Sequence, residues 1–148
     1  MIKVNTITQK DLQMIENIGK ETLPIYYKIM DLYYLLLNKD YLCLKAIKNK
    51  KIVGFIVSKT FHKDNRNHIM SIAVLNKFRR QGVGKKLIDS LKILSKNKCI
   101  SLYTQKINKI AINFYEKHRF KIMNEISDYY ESLEDTEAVY LEFNSNKT

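Results

Sequence analysis

The chain carries Arg79-Arg80-Gln81-Gly82-Val83-Gly84 between an apolar run, Ile69 to Leu75, and a helical pattern, Gly82 to Lys96. A strand that turns through glycine straight into a helix commits the fold to a sheet with a helix packed on it. The same junction makes a seat for an anion. The first amides of a helix have no intrahelical partner, the dipole is positive at that end, and glycine lets a ligand approach the backbone. Arg79, Arg80, Lys85 and Lys86 add positive charge. Counting excludes two familiar phosphate loops. A P-loop needs glycine where Arg79 stands and Ser or Thr where Lys86 stands, and a dinucleotide fingerprint needs a third glycine at Leu87. What remains is RxxGxG after a strand.

Apolar periodicity orders the rest. Ile2 and Val4 alternate as a first strand; Thr8 is placed to cap a helix bearing Leu12, Ile15 and Ile18, with Gly19 as its stop. A second helix follows Pro24 with Ile25, Ile29, Leu32 and Leu36 on one face. Tyr41 to Ile47 and Ile52 to Thr60 form a hairpin around Lys48-Asn49-Lys50-Lys51, and His62 to Asn67 reads as a polar loop. After the strand Ile69 to Leu75, the long helix places Leu87, Leu91 and Leu94 on one stripe with Ile88 beside it. A strand Cys99 to Thr104, a helix Asn108 to Lys117 with Ala111, Phe114 and Tyr115 inward, and strands Phe120 to Ile126 and Ala138 to Phe143 complete the pattern. The order β α α β β β α β α β β predicts an α/β fold: one domain over residues 1–148, with a mixed, mostly antiparallel sheet of about seven strands and about four helices.

Composition narrows the function. With 148 residues the chain can bury a core without disulfides or metals. Its two cysteines, Cys43 and Cys99, lie in apolar runs without CxxC spacing, which predicts buried free thiols in a reducing compartment and no metal site. No apolar segment is long enough to span a membrane and no signal-peptide pattern opens the chain, so a cytoplasmic setting is expected. The net charge of +11 favours anionic ligands and disfavours polyamine substrates, but scattered lysines do not suggest sequence-specific nucleic-acid recognition.

A second motif stands downstream. Asn108 to Phe120 reads NxxAxxFYxxxxF. Together with RxxGxG it resembles the GCN5-related N-acetyltransferase (GNAT) superfamily over nearly the whole chain. The chain is most similar to N-terminal (Nα) protein acetyltransferases of the NatE catalytic type. That resemblance implies acetyl-CoA as cosubstrate and CoA as product. It implies that the amides of Arg80, Gln81, Gly82, Val83, Gly84 and Lys85 hold the pyrophosphate, with the Arg79 and Arg80 side chains assisting. It further implies that Ile72, Ala73 and Val74, on a strand that splays at a bulge, bind the pantetheine arm, that Asn108 lies near that arm, and that Tyr115 lies by the sulfur as proton donor or thioester aligner.

The acceptor is implied to be a peptide N-terminus in a pocket of Leu23, Pro24, Ile25 and Tyr27 on one side and Tyr129, Tyr130 and Leu133 on the other, with His68 and Met70 also contacting it. Ile25 stands where NatA-type subunits usually carry glutamate, which favours N-termini beginning with Met followed by a hydrophobic residue. Two simpler readings stay open: Pro24 could start a helix, and Tyr129 and Tyr130 could be sheet-edge aromatics. His68 and Tyr103 stand exchanged relative to the tyrosine and histidine that order a catalytic water in NatE-type enzymes. His68 is then expected to be the better-tuned base. A NatA-like auxiliary subunit or the ribosome would be compatible partners.

Chemistry discriminates among acceptors. A peptide α-amine, with a pKa of about 7.7–8.0, is about a tenth neutral near pH 7, whereas a lysine amine is neutral on the order of once in a thousand. Ile69 to Leu75 carries no acidic residue to serve as a strong base. The alternatives are a GNAT acting on lysine or a small amine, and a basic binding module retaining CoA as a structural ligand. Arg119 stands where the family usually has glycine, which predicts a positive φ there.

Overall fold

The computed structural model describes residues 1–95 and 97–145. In chain order the elements are β1 Ile2–Thr6, α1 Leu12–Thr22, α2 Ile29–Leu37, β2 Tyr41–Lys48, β3 Lys51–Phe61, β4 Arg66–Val74, α3 Val83–Leu94, β5 Cys99–Gln105, α4 Lys109–Lys117, β6 Lys121–Ile126 and β7 Ala138–Asn144. The seven strands run in the order β1-β2-β3-β4-β5-β7-β6. Only β4 and β5, joined through α3, pair in parallel among the ladders described, so the expected mixed, mostly antiparallel α/β sheet is what forms. Two compact units share this strand order. One comprises Met1–Thr60 and Met70–Ser95; the other comprises Phe61–Ile69 and the described residues after 96.

In the first unit, Ile7, Leu12, Ile15, Ile18, Leu32, Cys43, Phe55, Val57 and Ala73 form the core cluster. Fully burying each large aliphatic side chain contributes about 1.5–3 kcal/mol. A 3-10 turn, Gln9–Asp11, precedes α1, and the Asp11 carboxylate accepts from the Thr8 amide at 2.8 Å and from Lys45 Nζ at 2.6 Å. Burial alone would raise the Asp11 pKa, but those bonds outweigh it and hold the carboxyl below its usual value. Gly19 does not end α1. It lies inside the helix, which runs on to Thr22, and a Cβ there would sit 3.0 Å from Tyr26 Cβ. Similarly, a Cβ on Gly54 would lie 2.8 Å from the Ala73 carbonyl oxygen, so β3 and β4 approach too closely for any other residue.

The hairpin turn is Asn49-Lys50, with φ of 51° and 65°, the paired positive values of a two-residue turn matched to strand twist. Against the predicted stripe of α3, Val83 is buried with Leu87, Ile88 and Leu91, while Leu94 is 55% exposed at the frayed end. The helix stops at Leu94, two residues short of the predicted limit; Lys96 lies outside the described residues. Ile25 is not helical. It lies in an irregular stretch, and α2 begins only at Ile29, whose amide donates to Glu16 Oε2 of α1 at 2.8 Å.

In the second unit, β5 lies between the first half of β4 and β7, and β6 lies outside β7. The inner face of α4 is Ile112 and Tyr115, with Ala111 and Phe114 only half-buried. Cys99 is likewise half-buried, which corrects the expectation of two buried thiols, whereas burial pushes the Cys43 thiol up to about 11. Arg119 has φ of 73°, as its position predicts. An L-residue in that conformation costs about 1–2 kcal/mol, and glycine's greater unfolded-state freedom takes back part of the relief. Arg119→Gly should therefore raise stability by about 0.5–1 kcal/mol, seen as a melting temperature about 1–4 °C higher. An unchanged or lower melting temperature would remove strain at Arg119 from the account.

Candidate active site

In the first unit, Gly82 is the N-cap of α3 with φ of 84° and ψ of 8°, and Arg80 before it has φ of 60°. Two left-handed residues in three turn successive amides toward a common point, the geometry of an anion nest. The first helical bond runs from Lys86 N–H to the Gly82 carbonyl at 3.0 Å, so Val83, Gly84 and Lys85 precede any i−4 partner within the helix. A Cβ placed on Gly82 would meet no atom within 4 Å, which means open space in front of the helix. Arg79 and Arg80 are exposed beside it.

Other side chains of this turn are committed elsewhere. Lys85 Nζ pairs with Asp89 at 2.7 Å, and Gln81 accepts from Lys48 Nζ while donating to the Lys77 carbonyl at 3.3 Å. An anion here would be met by amides and arginines. Pyrophosphate fits such a seat on charge and donor geometry. Ala73 is buried, and Ile72 and Val74 flank it half-buried in β4.

Also in this unit, the Leu23 amide donates to the Gly19 carbonyl at 2.8 Å and closes α1. Pro24 is exposed and begins no helix, which excludes the simpler reading of it. Leu23 and Tyr27 pack against the core, and burial raises the Tyr27 phenol to about 12. Ile25, 54% exposed, turns outward from the same stretch; Met70 is 41% exposed.

In the second unit, strand register gathers a polar cluster. His68 pairs with Ser101, Ser101 with Glu142, and Tyr103 with Tyr140. Paired residues and their i±2 neighbours share one face, so Arg66, His68, Ser101, Tyr103, Tyr140 and Glu142 stand together. His68 Nδ1 lies 2.7 Å from Ser101 Oγ; Arg66 Nη1 donates to that same Oγ at 2.7 Å and to the Tyr140 hydroxyl at 3.1 Å; Tyr140 donates to Glu142 Oε2 at 2.8 Å. The Tyr103 ring is 5.3 Å from His68 and stacks on Tyr129 at 4.4 Å, and Tyr130 meets Tyr129 edge-on at 4.8 Å. Tyr129 is 44% exposed, and the Leu133 amide donates to the Tyr130 carbonyl at 3.1 Å.

His68 lies inside β4. The strand begins at Arg66, three residues earlier than predicted, and His68 is only 9% exposed. Burial, reinforced by the Arg66 charge, lowers its pKa to about 4. The imidazole is neutral at pH 7 and a weak base, which corrects the expectation of a well-tuned one. Burial pushes Tyr130 up to about 12, and Tyr129 in the same direction.

Tyr115 is 6% exposed against Phe114 and Phe120, and burial, with a further contribution from Tyr130, raises its pKa far above the ordinary phenol value. It keeps its proton at any physiological pH. Asn108 Oδ1 accepts from the Ala111 amide at 3.1 Å, so this side chain is a helix cap whatever else it contacts. His68, Tyr103, Tyr129 and Tyr130 come together in this unit, with Tyr115 near Tyr130. Arg66, Ser101 and Tyr140 were missed. Arg66 and His68 at i and i+2 were the available signal, hidden because 62–67 read as a loop.

Among the described residues there is no cluster suited to a metal ion, and no helix is long and apolar enough to cross a membrane. Residues 8–120 match the Acetyltransferase (GNAT) family. N-alpha-acetyltransferase 50 of Danio rerio is 28% identical over 148 residues, covering 95% of this chain and 87% of that protein. Among solved structures, Arabidopsis thaliana Naa50 in complex with the bisubstrate analogue CoA-Ac-MVNAL is similar at a TM-score of 0.81 and 26% identity, covering 95% and 97% of the two chains. Ard1 from Thermoplasma volcanium is similar at 0.85 and 25%, covering 97% of each.

Proposed function

The chain belongs to the acetyltransferase (GNAT) family, and on that premise we propose that residues 1–148 act as one transferase domain moving an acetyl group from acetyl-CoA to the α-amine of protein N-termini. Acetyl-CoA supplies the activated acetyl thioester. The amides at the start of α3, with Arg79 and Arg80, hold its pyrophosphate; Ile72 to Val74 and Asn108 hold its arm; Tyr115 donates a hydrogen bond to the sulfur as negative charge develops there.

The observation that carries the choice of acceptor is the chemistry around His68. From Arg66 to Val74 the strand holds no carboxylate, His68 is neutral, and Glu142 is engaged by the Tyr140 hydroxyl. Such a site cannot strip a proton from a lysine amine efficiently, but an α-amine near neutrality needs little help. The peptide named on the Naa50 complex begins Met-Val, and the apolar Ile25 of the first unit and, separately, Tyr129 and Tyr130 of the second each suit a Met-hydrophobic start in this chain too.

The test is acetyl-CoA with peptides varied at positions one and two, alongside a lysine-bearing histone-tail peptide. Met-Val and Met-Leu peptides should exceed Met-Asp in kcat/KM by roughly 10- to 100-fold, the worth of one apolar side chain in a pocket. Absence of α-amine transfer across the panel would sink the proposal.

A further inference from the structure

We propose that Arg66 and Ser101 lock His68 as the neutral Nε2–H tautomer, so that His68 serves the transfer as a hydrogen-bond donor and not as the base. The assignment follows from the inventory of hydrogens. Arg66 can only donate, and its Nη1 gives hydrogens to Ser101 Oγ and Tyr140 Oη. Ser101 Oγ, already accepting, holds one hydrogen of its own, and His68 Nδ1 lies 2.7 Å away. A proton on Nδ1 would point into a group carrying positive charge, with Arg66 Nη1 only 3.5 Å from that nitrogen. The Tyr140 hydroxyl, the other group within reach of Ser101 Oγ, already accepts from Arg66 and donates to Glu142, so the serine hydrogen goes to Nδ1 and the ring's own hydrogen stays on Nε2, at the far side of the imidazole.

Every other group around the ring agrees. Phe61 meets it edge-on at 6.2 Å and the Tyr103 ring lies tilted to it at 5.3 Å, and neither side chain is a carboxylate. Asp64, at 3.4 Å, and the Phe61 face, at 4.9 Å, hold the Arg66 guanidinium, and Tyr140 stands between it and Glu142. Among the described residues no carboxylate is seen bonded to the imidazole to stabilise a second ring proton. Nε2–H can then hold a water or a carbonyl oxygen of the acceptor peptide, while the proton lost by the α-amine passes to water. Arg66 and Ser101 are positioning residues, acting through His68.

The functional half of this inference rests on the acceptor site proposed above; the tautomer does not. In the full chain labelled with 15N-histidine, NMR should show His68 with hydrogen on Nε2 and no titration from pH 8 down to about 5, well below the ordinary value of about 6.5. In Arg66→Gln its titration should move up toward that value. Hydrogen on Nδ1, or an ordinary titration in the unaltered protein, would overturn the lock. For function, His68→Gln keeps a donor near the Nε2 position but cannot act as a base. It should retain at least about tenfold more kcat than His68→Phe, against the roughly 10²- to 10⁴-fold that loss of a general base costs in both. Equal large losses would overturn the donor role. Unaltered transfer in both variants, with the tautomer as stated, would instead remove His68 from the acceptor site.

Discussion

Replacing Tyr115 by Phe is expected to lower kcat for acetyl transfer by roughly 10²- to 10³-fold, the usual cost of deleting one donor aimed at developing charge. Acetyl-CoA affinity should stay within about threefold, since a ground-state thioester sulfur is a poor acceptor and takes little from the phenol. The raised pKa of Tyr115 sharpens the expectation. A phenol far less acidic than a thiol, whose pKa is about 8.5, will not hand its proton completely to a thiolate; it stabilises that thiolate by hydrogen bonding, and solvent supplies the final proton. The ring itself stays packed against Phe114 and Phe120, so the variant keeps its fold. Single-turnover rates and calorimetric binding of acetyl-CoA separate the two effects. A kcat within threefold of the unaltered protein would take Tyr115 out of the chemistry.

Gly82→Asp should lose acetyl-CoA binding by about 100-fold, and Gly82→Asn should lose far less. Both side chains must adopt the left-handed conformation of Gly82, at a cost of about 1 kcal/mol that Asp and Asn tolerate better than most residues. Neither meets a neighbouring atom at Cβ, so bulk is not the reason for the loss. The difference is the charge. A carboxylate about 5 Å from two phosphate charges, at an effective dielectric of about 50, between protein surface and water, opposes binding by about 2–3 kcal/mol, and each 1.4 kcal/mol is tenfold in affinity. The Asp charge also favours the positive end of α3, so the Asp variant should melt no lower than the Asn one. Calorimetric titration with acetyl-CoA, paired with thermal melts, checks both halves. Equal affinity of Asp and Asn variants would mean that the pyrophosphate seat lies elsewhere.

The strand and helix pattern was legible because each periodicity is set by the chain's immediate neighbours. Leu87, Ile88 and Leu91 recur at helical spacing and are buried, and Asn49-Lys50 could only be a tight turn between alternating strands. Errors fell at element ends, where local signals compete. Gly19 read as a stop, yet its missing side chain serves the approach of Tyr26 from outside the helix. Leu94 fitted the stripe but lies beyond the sheet's cover. Polar 62–67 read as loop, yet Arg66 and Asn67 begin a strand, because neighbours from β5 supply partners that composition cannot foresee.

For the proposed site, the case for the anion seat comes from the sequence by itself, since a helix start, two glycines and two arginines carry their chemistry wherever they are placed. It also determined that the central strand lacks a carboxylate. Only the tertiary structure decided what His68 is. Its basicity depends on burial and on Arg66, and its neighbours Ser101 and Tyr103 lie more than thirty residues away and reach it through the register of β4 with β5. A pKa is a property of surroundings, and surroundings of that kind are assembled by strand pairing.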